Sequence, residues 1–151
     1  MSATPSLTAR LEWGLVPAVP VPFRGREIAE DAQRAYAAWM AGQAVAGVAV
    51  WAHTGRGRHL TSEQRREVLA TWRAAVPLSV IVAGADSPEM AREAKRGGAD
   101  ALLAFPQREH PVAYHEALGR ELPVIAFYLY KAAAASRTTI ALSTPSCRSP
   151  A

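Results

Sequence analysis

The order of apolar and polar residues between Leu15 and Leu129 is the feature that most constrains the fold of this chain. Short runs of apolar residues alternate there with longer segments of helical period. This alternation is typical of parallel strands joined by crossover helices, and strands that are apolar on both faces are usually buried. We therefore predict an α/β protein. The predicted strands are Leu15–Val19, Gly47–Trp51, Ser79–Ala83, Ala101–Phe105 and Val124–Leu129.

Four predicted helices lie between these strands. Thr61 and Gln64 have the spacing of a capping box, Ser87 precedes a proline at a helix start, and the fourth helix runs from about Pro111 to Arg120. The first helix carries one apolar stripe, which we expect to pack on the sheet. That stripe consists of Ile28, Ala32, Ala35, Tyr36, Trp39 and Met40.

The character of the sequence changes after Tyr130. Residues 131–151 have no strand alternation, no sustained apolar stripe and many Ser, Thr and Pro residues. We predict one α/β domain over residues 1–130 and an irregular tail over 131–151. The tail is either a linker or the product of a shifted reading frame, and we favour the second hypothesis.

Composition excludes several classes of protein. Half of the residues are hydrophobic and 20% are charged, but no apolar run approaches the roughly 18 residues of a membrane span. The first ten residues lack the features of a secretory signal, so a cytoplasmic location is expected. Cys147 is the only cysteine, which excludes a cysteine-based metal cluster, and no metal site is predicted. The net charge is +4, but the basic residues are distributed along the chain and interleaved with acidic ones. This distribution argues against nucleic-acid binding.

The residues at the ends of the predicted strands are candidates for function, because ligands of parallel α/β folds bind at the carboxyl ends of strands. His53, Thr54 and Gly55 follow the second strand and form a small polar turn. Such a turn can hold a carboxylate with its backbone N–H groups, its hydroxyl and its imidazole. Alternatively, His53 and Thr54 satisfy the backbone groups of the turn itself. The residues alone do not decide between these two interpretations.

Two later strand ends are also distinctive. On the fifth strand, alternation separates Ala126 and Tyr128 from Phe127, so only one of the two aromatic residues points into the interior. A tyrosine there could relay protons, although aromatic residues on strands more often belong to the core. Arg108 follows the fourth strand, where it either meets an anionic substrate or is a solvated loop residue, and we favour the solvated residue.

Taken in order, these segments resemble the dihydrodipicolinate synthase and N-acetylneuraminate lyase family. The resemblance covers Leu15 to about Tyr130 and depends on five motifs in the right order. These are Val16–Phe23 for the first strand and its turn, Ala52–Gly55 for the Gly-Thr-Thr-Gly-Glu turn, Val80–Gly84 for the third strand, Gly98–Pro106 for the fourth, and Leu122–Ile125 before the Tyr-Asn-x-Pro strand.

The resemblance implies the N-terminal portion of a (β/α)₈ barrel, with about five strands and four helices. It also implies a class I aldolase type of lyase or synthase, usually a homo-oligomer, that needs no cofactor. In the family, a lysine on the sixth strand forms a Schiff base with pyruvate or a related keto acid, and a tyrosine on the fifth strand relays protons. The family's carboxylate-binding turn maps onto Thr54 and Gly55, with His53 in place of the first threonine.

Departures from the family pattern concern both the tyrosine and the lysine. Direct alignment places Phe127 at the position of the tyrosine, and Tyr128 follows it; we favour Tyr128 as the functional phenol. The sixth strand and its lysine are expected to be absent, because a (β/α)₈ barrel takes about 250 residues. The only lysines are Lys95, expected to be solvated on a helix, and Lys131.

Two functions follow as hypotheses. The first is a truncated member of this family that is inactive alone, so whether the chain is an enzyme is left open. The second is a non-catalytic domain that binds small anions or another protein, in which the half barrel rearranges into a doubly wound sheet and the turn from His53 to Gly55 binds the anion.

Overall fold

A computed structural model gives the fold, and it describes residues 5–107 and 109–127. This part of the chain contains six strands and five α-helices, which alternate from α2 onward. Their bounds are α1 Leu7–Leu11, β1 Phe23–Arg24, β2 Glu27–Ile28, α2 Glu30–Ala41, β3 Gly47–Val50, α3 Ser62–Ala75, β4 Val80–Ala85, α4 Pro88–Arg96, β5 Ala101–Ala104, α5 Pro111–Gly119 and β6 Val124–Ala126, with a 3₁₀ turn at Gly57–His59 before α3.

The central sheet is parallel and its strands follow the order of the chain, β3-β4-β5-β6. The predicted first strand lies beside β3, where Val19 N donates to Ala49 O at 3.0 Å and Ala49 N donates to Pro17 O at 2.8 Å. It forms a single bridge, Ala18 to Ala49, because proline has no N–H group to extend the ladder. The predicted first strand and β3 to β6 thus lie side by side in the same order as in the sequence, which is the strand order of a (β/α)₈ barrel wall. In a doubly wound sheet the strand order would reverse at one point. The rearranged sheet of the second hypothesis was therefore wrong.

Alternate residues of the strands pack into two separate layers. Val48, Ile81 and Leu102 lie on the side of α2 to α5, in the main core. Ala49 and Val82 point to the opposite side, where α1 covers part of the sheet. Helices α2 to α5 therefore line the outside of the wall, and the second layer, which α1 partly covers, is the face that a closed barrel would enclose.

The capping signals identified helices correctly. Thr61 and Gln64 form a complete capping box at the start of α3, and Ser87 accepts a hydrogen bond from Met90 N at the start of α4. The remaining predicted helix, α5, is also present. None of the helices described here is long and apolar enough to cross a membrane.

The predicted apolar stripe of the first helix was partly wrong. Ile28 belongs to β2, and Ala35 and Trp39 face solvent, with Trp39 60% exposed and stacked on Tyr36. The buried positions of α2 are Gln33, Ala37 and Met40. A turn through Gly25, with φ at 63°, folds β1 against β2 and delays the start of the helix to Glu30.

Gly47 permits the close approach of β3 to β4. A Cβ atom at this position would lie 2.3 Å from the carbonyl oxygen of Val80, which is backbone and cannot move aside cheaply. We therefore expect Gly47→Ala to lower the free energy of unfolding by about 2 kcal/mol, measured by urea denaturation.

Gly119→Ala is the matched control, because a Cβ atom at Gly119 meets nothing within 4 Å and alanine favours a helix. It should leave stability unchanged or slightly higher. Equal stability of the Gly47→Ala chain and the parent chain would contradict the described pairing of β3 with β4.

Candidate functional site

The loops at the carboxyl ends of the strands surround a cleft of about 200 Å³. His53 lies on its wall, whereas Thr54 is exposed beside it and Gly55 is buried beneath the turn. The lining consists of Ala52, His53, Arg56, Gly57, Arg58, His59 and Phe105. The structure thus brings the turn predicted from the sequence to the edge where ligands of parallel α/β folds bind.

The turn begins at Trp51, which has a left-handed backbone with φ at 57°. Such a conformation is a genuine outlier for a bulky residue and persists only where its surroundings enforce it. The indole is fully buried and its Nε1 donates to Arg65 O at 3.1 Å. The carbonyl oxygen of Trp51 would lie 2.0 Å from a Cβ atom at Gly57 and 2.3 Å from one at Gly84. Glycine is therefore required at both positions.

Free hydrogen-bond donors remain in the turn from His53 to Gly55. Arg56 N donates to His53 O at 3.0 Å, which closes the turn, but the N–H groups of Thr54 and Gly55 donate to no described residue. The side chains of His53 and Thr54 likewise make no hydrogen bond within residues 5–107 and 109–127. The interpretation that these side chains satisfy the turn's own backbone is thus not what the structure shows.

Arg56 and Arg58 give the cleft a positive charge. His53 and His59 also line it, and none of the described lining residues is acidic. The Arg56 guanidinium lies 5.9 Å from the ring centroid of Phe23, which holds it beside the turn. An adjoining cleft of about 260 Å³ shares Arg56 and His59 and adds Arg26. This surface attracts anions.

The sequence did not reveal an ion pair in which Arg58, a residue of the cleft wall, contacts Asp86 behind that wall. Arg58 Nε donates to Asp86 Oδ2 at 2.8 Å, and Asp86 follows β4 directly. Tyr114, on α5, donates its hydroxyl to Ala85 O at 2.9 Å. Burial, followed by the charge of Asp86, raises the pKa of Tyr114 to about 12, so its phenol stays protonated at neutral pH. The only available signal was the position of Asp86 after a strand.

Below the cleft, the side chain of Arg65 on α3 forms hydrogen bonds to the loop before α3 and to α4. Its Nε donates to Glu93 Oε2 at 2.7 Å, and its Nη1 donates to Leu60 O at 2.6 Å. Ser62 completes the network by donating to Glu93 Oε1 at 2.7 Å. The hydrogen bond from Arg65, partly offset by desolvation, holds the pKa of Glu93 below its usual range.

The remaining predicted site residues lie elsewhere. Lys95 is on α4, where its Nζ is 3.3 Å from Glu121 Oε2 and its side chain is half exposed, which confirms the expectation of a solvated amine. Phe127 follows β6, which is the fifth of the strands predicted from the sequence, and it is 37% exposed. The register pairs Leu103 with Ile125, and alternation places Phe127 on that inner face. Tyr128, Arg108, Lys131, Cys147 and the predicted tail lie outside the described residues.

Comparisons with known proteins place this geometry in a family. The 4-hydroxy-tetrahydrodipicolinate synthase of Nitratidesulfovibrio vulgaris is 31% identical over 124 residues, covering 74% of this chain and 42% of that protein. The enzyme of the same name from Phenylobacterium zucineum is 32% identical over 132 residues, covering 76% and 44%. The chain belongs to the dihydrodipicolinate synthase and N-acetylneuraminate lyase family. No known protein-family profile matches it.

Solved structures of the dihydrodipicolinate synthase and N-acetylneuraminate lyase family share the fold. A crystal structure of N-acetylneuraminate lyase from Mycoplasma synoviae superposes with a TM-score of 0.69 at 21% identity, covering 82% of this chain and 48% of that one. A dihydrodipicolinate synthase structure gives 0.65 at 24% identity, covering 74% and 44%. The chain spans less than half the length of these relatives. Its described residues therefore form the N-terminal portion of the family's (β/α)₈ barrel.

The position of the site loop depends on the Arg65–Glu93 pair. Because the pKa of Glu93 is lowered on folding, its carboxylate stabilises the fold above its unfolded pKa, and this contribution is lost as pH falls through the folded pKa. We expect Glu93→Gln to cost about 1 kcal/mol at pH 7 and progressively less below about pH 4. Urea denaturation across this pH range measures the difference.

Glu116→Gln is the control, because Glu116 is exposed on α5. It should change stability little at any pH. A Glu93→Gln cost that is the same at pH 3 and pH 7 would contradict a charge-dependent role for Glu93.

Proposed function

We propose that this chain binds the carboxylate of pyruvate or a related keto acid at the turn from His53 to Gly55, as its part of a Schiff-base lyase or synthase. The observation that carries the proposal is that the N–H groups of Thr54 and Gly55 donate to no described residue and lie in the turn beside a cleft lined by Arg56 and Arg58. A carboxylate accepts such hydrogen bonds strongly, since charge-assisted bonds are about twice as strong as neutral ones. The relatives named 4-hydroxy-tetrahydrodipicolinate synthase support a synthase or lyase role at the level of the family.

Each residue of the turn has a distinct role in this proposal. The Thr54 hydroxyl and the N–H groups of Thr54 and Gly55 receive the carboxylate oxygens. The His53 imidazole stands at the cleft wall where the family has a threonine, and it donates a hydrogen bond to the keto acid. The homo-oligomeric state typical of the family is part of the same proposal.

The Schiff base itself is not assigned to this chain. A Schiff-base lysine needs a lowered pKa, which burial or a neighbouring cation provides. Lys95 lacks this burial, because its side chain is half exposed on α4 and pairs with the carboxylate of Glu121. The phenol of Tyr128 is our candidate for the proton relay of the complete site, with Phe127 as the residue that direct alignment places there. We therefore propose that the 151 residues bind the keto acid without turning it over.

A second function has one observation in its favour. Among the described residues that line the cleft there is no carboxylate, and His53 and His59 stand beside the two arginines. A non-catalytic domain that binds small anions would need no more than this. Selectivity separates the two functions, since an anion-binding domain should take chloride or sulfate as readily as a keto acid.

Thr54→Val tests the proposal, because it removes the hydroxyl while keeping the shape of the side chain. Titration with pyruvate, followed by ligand-observed NMR, should show affinity about tenfold weaker than in the parent chain. Thr8→Val, on the exposed surface of α1, should bind pyruvate as the parent does. Equal binding by all three chains, or displacement of pyruvate by equimolar sulfate, would refute the keto-acid site.

Treatment of the pyruvate-saturated chain with borohydride is the companion experiment. A Schiff base would be trapped as a stable adduct on lysine, visible as a mass increase of the intact protein. We expect no increase, and an adduct on Lys95 or Lys131 would show that the chain forms the imine itself.

A further inference from the structure

Arg58 lies on the wall of the same cleft but has no part in the proposed binding of the keto-acid carboxylate. It belongs to the 3₁₀ turn at Gly57–His59, three residues after Gly55. His53 and Arg58 both line the cleft, together with Phe105. A ligand held by the turn would therefore present its other end toward Arg58 or the neighbouring cations.

Two neighbouring strands fix the position of Arg58. Asp86 follows the last residue of β4 and accepts a hydrogen bond from Arg58 Nε at 2.8 Å. Phe105 follows the last residue of β5, and the Arg58 guanidinium lies 5.8 Å from its ring centroid. Contacts of this kind hold a planar guanidinium in one orientation. An arginine that is 60% exposed is thereby ordered at the rim of the cleft.

The bond to Asp86 uses only Nε. Neither Nη1 nor Nη2 of Arg58 donates to a residue in the described part of the chain, so up to four N–H donors remain for a ligand. These donors form the fork that matches a carboxylate or phosphate group. Asp86 balances one positive charge, whereas Arg56 adds another on the same wall. The cleft thus accommodates a second anionic group.

From this geometry we infer that Arg58, positioned by Asp86 and Phe105, binds a second anionic group of the ligand, either a carboxylate or a phosphate. The ligand class is an oxo acid with two anionic ends. This inference rests on the proposed function, in which the turn from His53 to Gly55 holds the first carboxylate. Arg58 determines specificity, and Asp86 is a positioning residue.

Calorimetric titration of the full chain with matched ligands tests the inference. We expect 2-oxoglutarate to bind about tenfold more tightly than 2-oxopentanoate, which has the same chain length but lacks the second charge. Phosphonopyruvate distinguishes the two anions: tighter binding of this ligand than of 2-oxoglutarate identifies a phosphate site. Arg58→Gln should abolish the preference for the dianion, measured as the ratio of the two affinities, and weaken 2-oxopentanoate binding much less than 2-oxoglutarate binding.

Three further variants control the result. Arg58→Lys keeps a cation but not the fork, and should retain part of the preference. Asp86→Asn should weaken the preference without affecting 2-oxopentanoate. Arg34→Gln breaks an exposed ion pair with Glu30 on α2 and should behave as the parent chain.

The failure of this inference is distinguishable from that of the proposed function. A parent chain without preference for the dianion, or a preference that survives Arg58→Gln, overturns the role of Arg58. If Thr54→Val leaves 2-oxopentanoate binding intact, the keto-acid turn fails, whereas the effect of Arg58→Gln on the dianion still reports on Arg58 alone.

Discussion

The carbonyl group of Trp51 lies against two glycines, Gly57 and Gly84, and the candidate site depends on this contact. A side chain at either glycine would collide with the carbonyl oxygen. The contact accompanies the left-handed backbone at Trp51, which ends β3 and turns the chain abruptly into the loop. Because Gly84 belongs to β4, the loop after one strand is seated directly on the next strand.

The buried indole of Trp51 and the Arg65 network keep this loop in place from below. The indole donates to Arg65 O, while the Arg65 side chain binds Leu60 O and Glu93. A buried polar network offsets the cost of removing its groups from water only when those groups are hydrogen-bonded to one another. The groups of Arg65, Glu93 and Leu60 are bonded in this way. Above this network, the N–H groups of Thr54 and Gly55 donate to no described residue, and His53, Arg56 and Arg58 line the adjacent cleft. Binding loops are commonly positioned by a packed scaffold and keep free hydrogen-bond donors for a ligand. Here the Trp51 indole and the Arg65 network are the scaffold, and the turn above them has the free donors.

Much of the fold could be predicted from the sequence because its signals are local. The capping box at Thr61 and Gln64 and the serine before Pro88 act over three or four residues, and the buried strands are uniformly apolar. The stripe of α2 was misjudged because Gln33 is buried and Trp39 is exposed, choices that tertiary packing makes. The hairpin of β1 and β2 and the short helix α1 were missed because each is too brief to show a period.

The candidate site likewise contains some features that the sequence predicts and others that only tertiary packing determines. The turn from His53 to Gly55 was identifiable because it directly follows an apolar strand and carries small polar residues. The pairing of Arg58 with Asp86 was not, since it joins residues 28 positions apart. The left-handed Trp51 gave no signal either, because its conformation is imposed by contacts with Gly57 and Gly84 that only the assembled sheet creates.

A two-dimensional amide NMR titration of the ¹⁵N-labelled chain with pyruvate tests directly whether the turn from His53 to Gly55 binds the keto acid. We predict that the largest chemical-shift changes occur at the N–H groups of Thr54 and Gly55, with smaller changes at His53 and Arg56. Changes confined to other parts of the chain, such as α1 or the hairpin turn at Gly25, or no changes at saturating pyruvate, would contradict it.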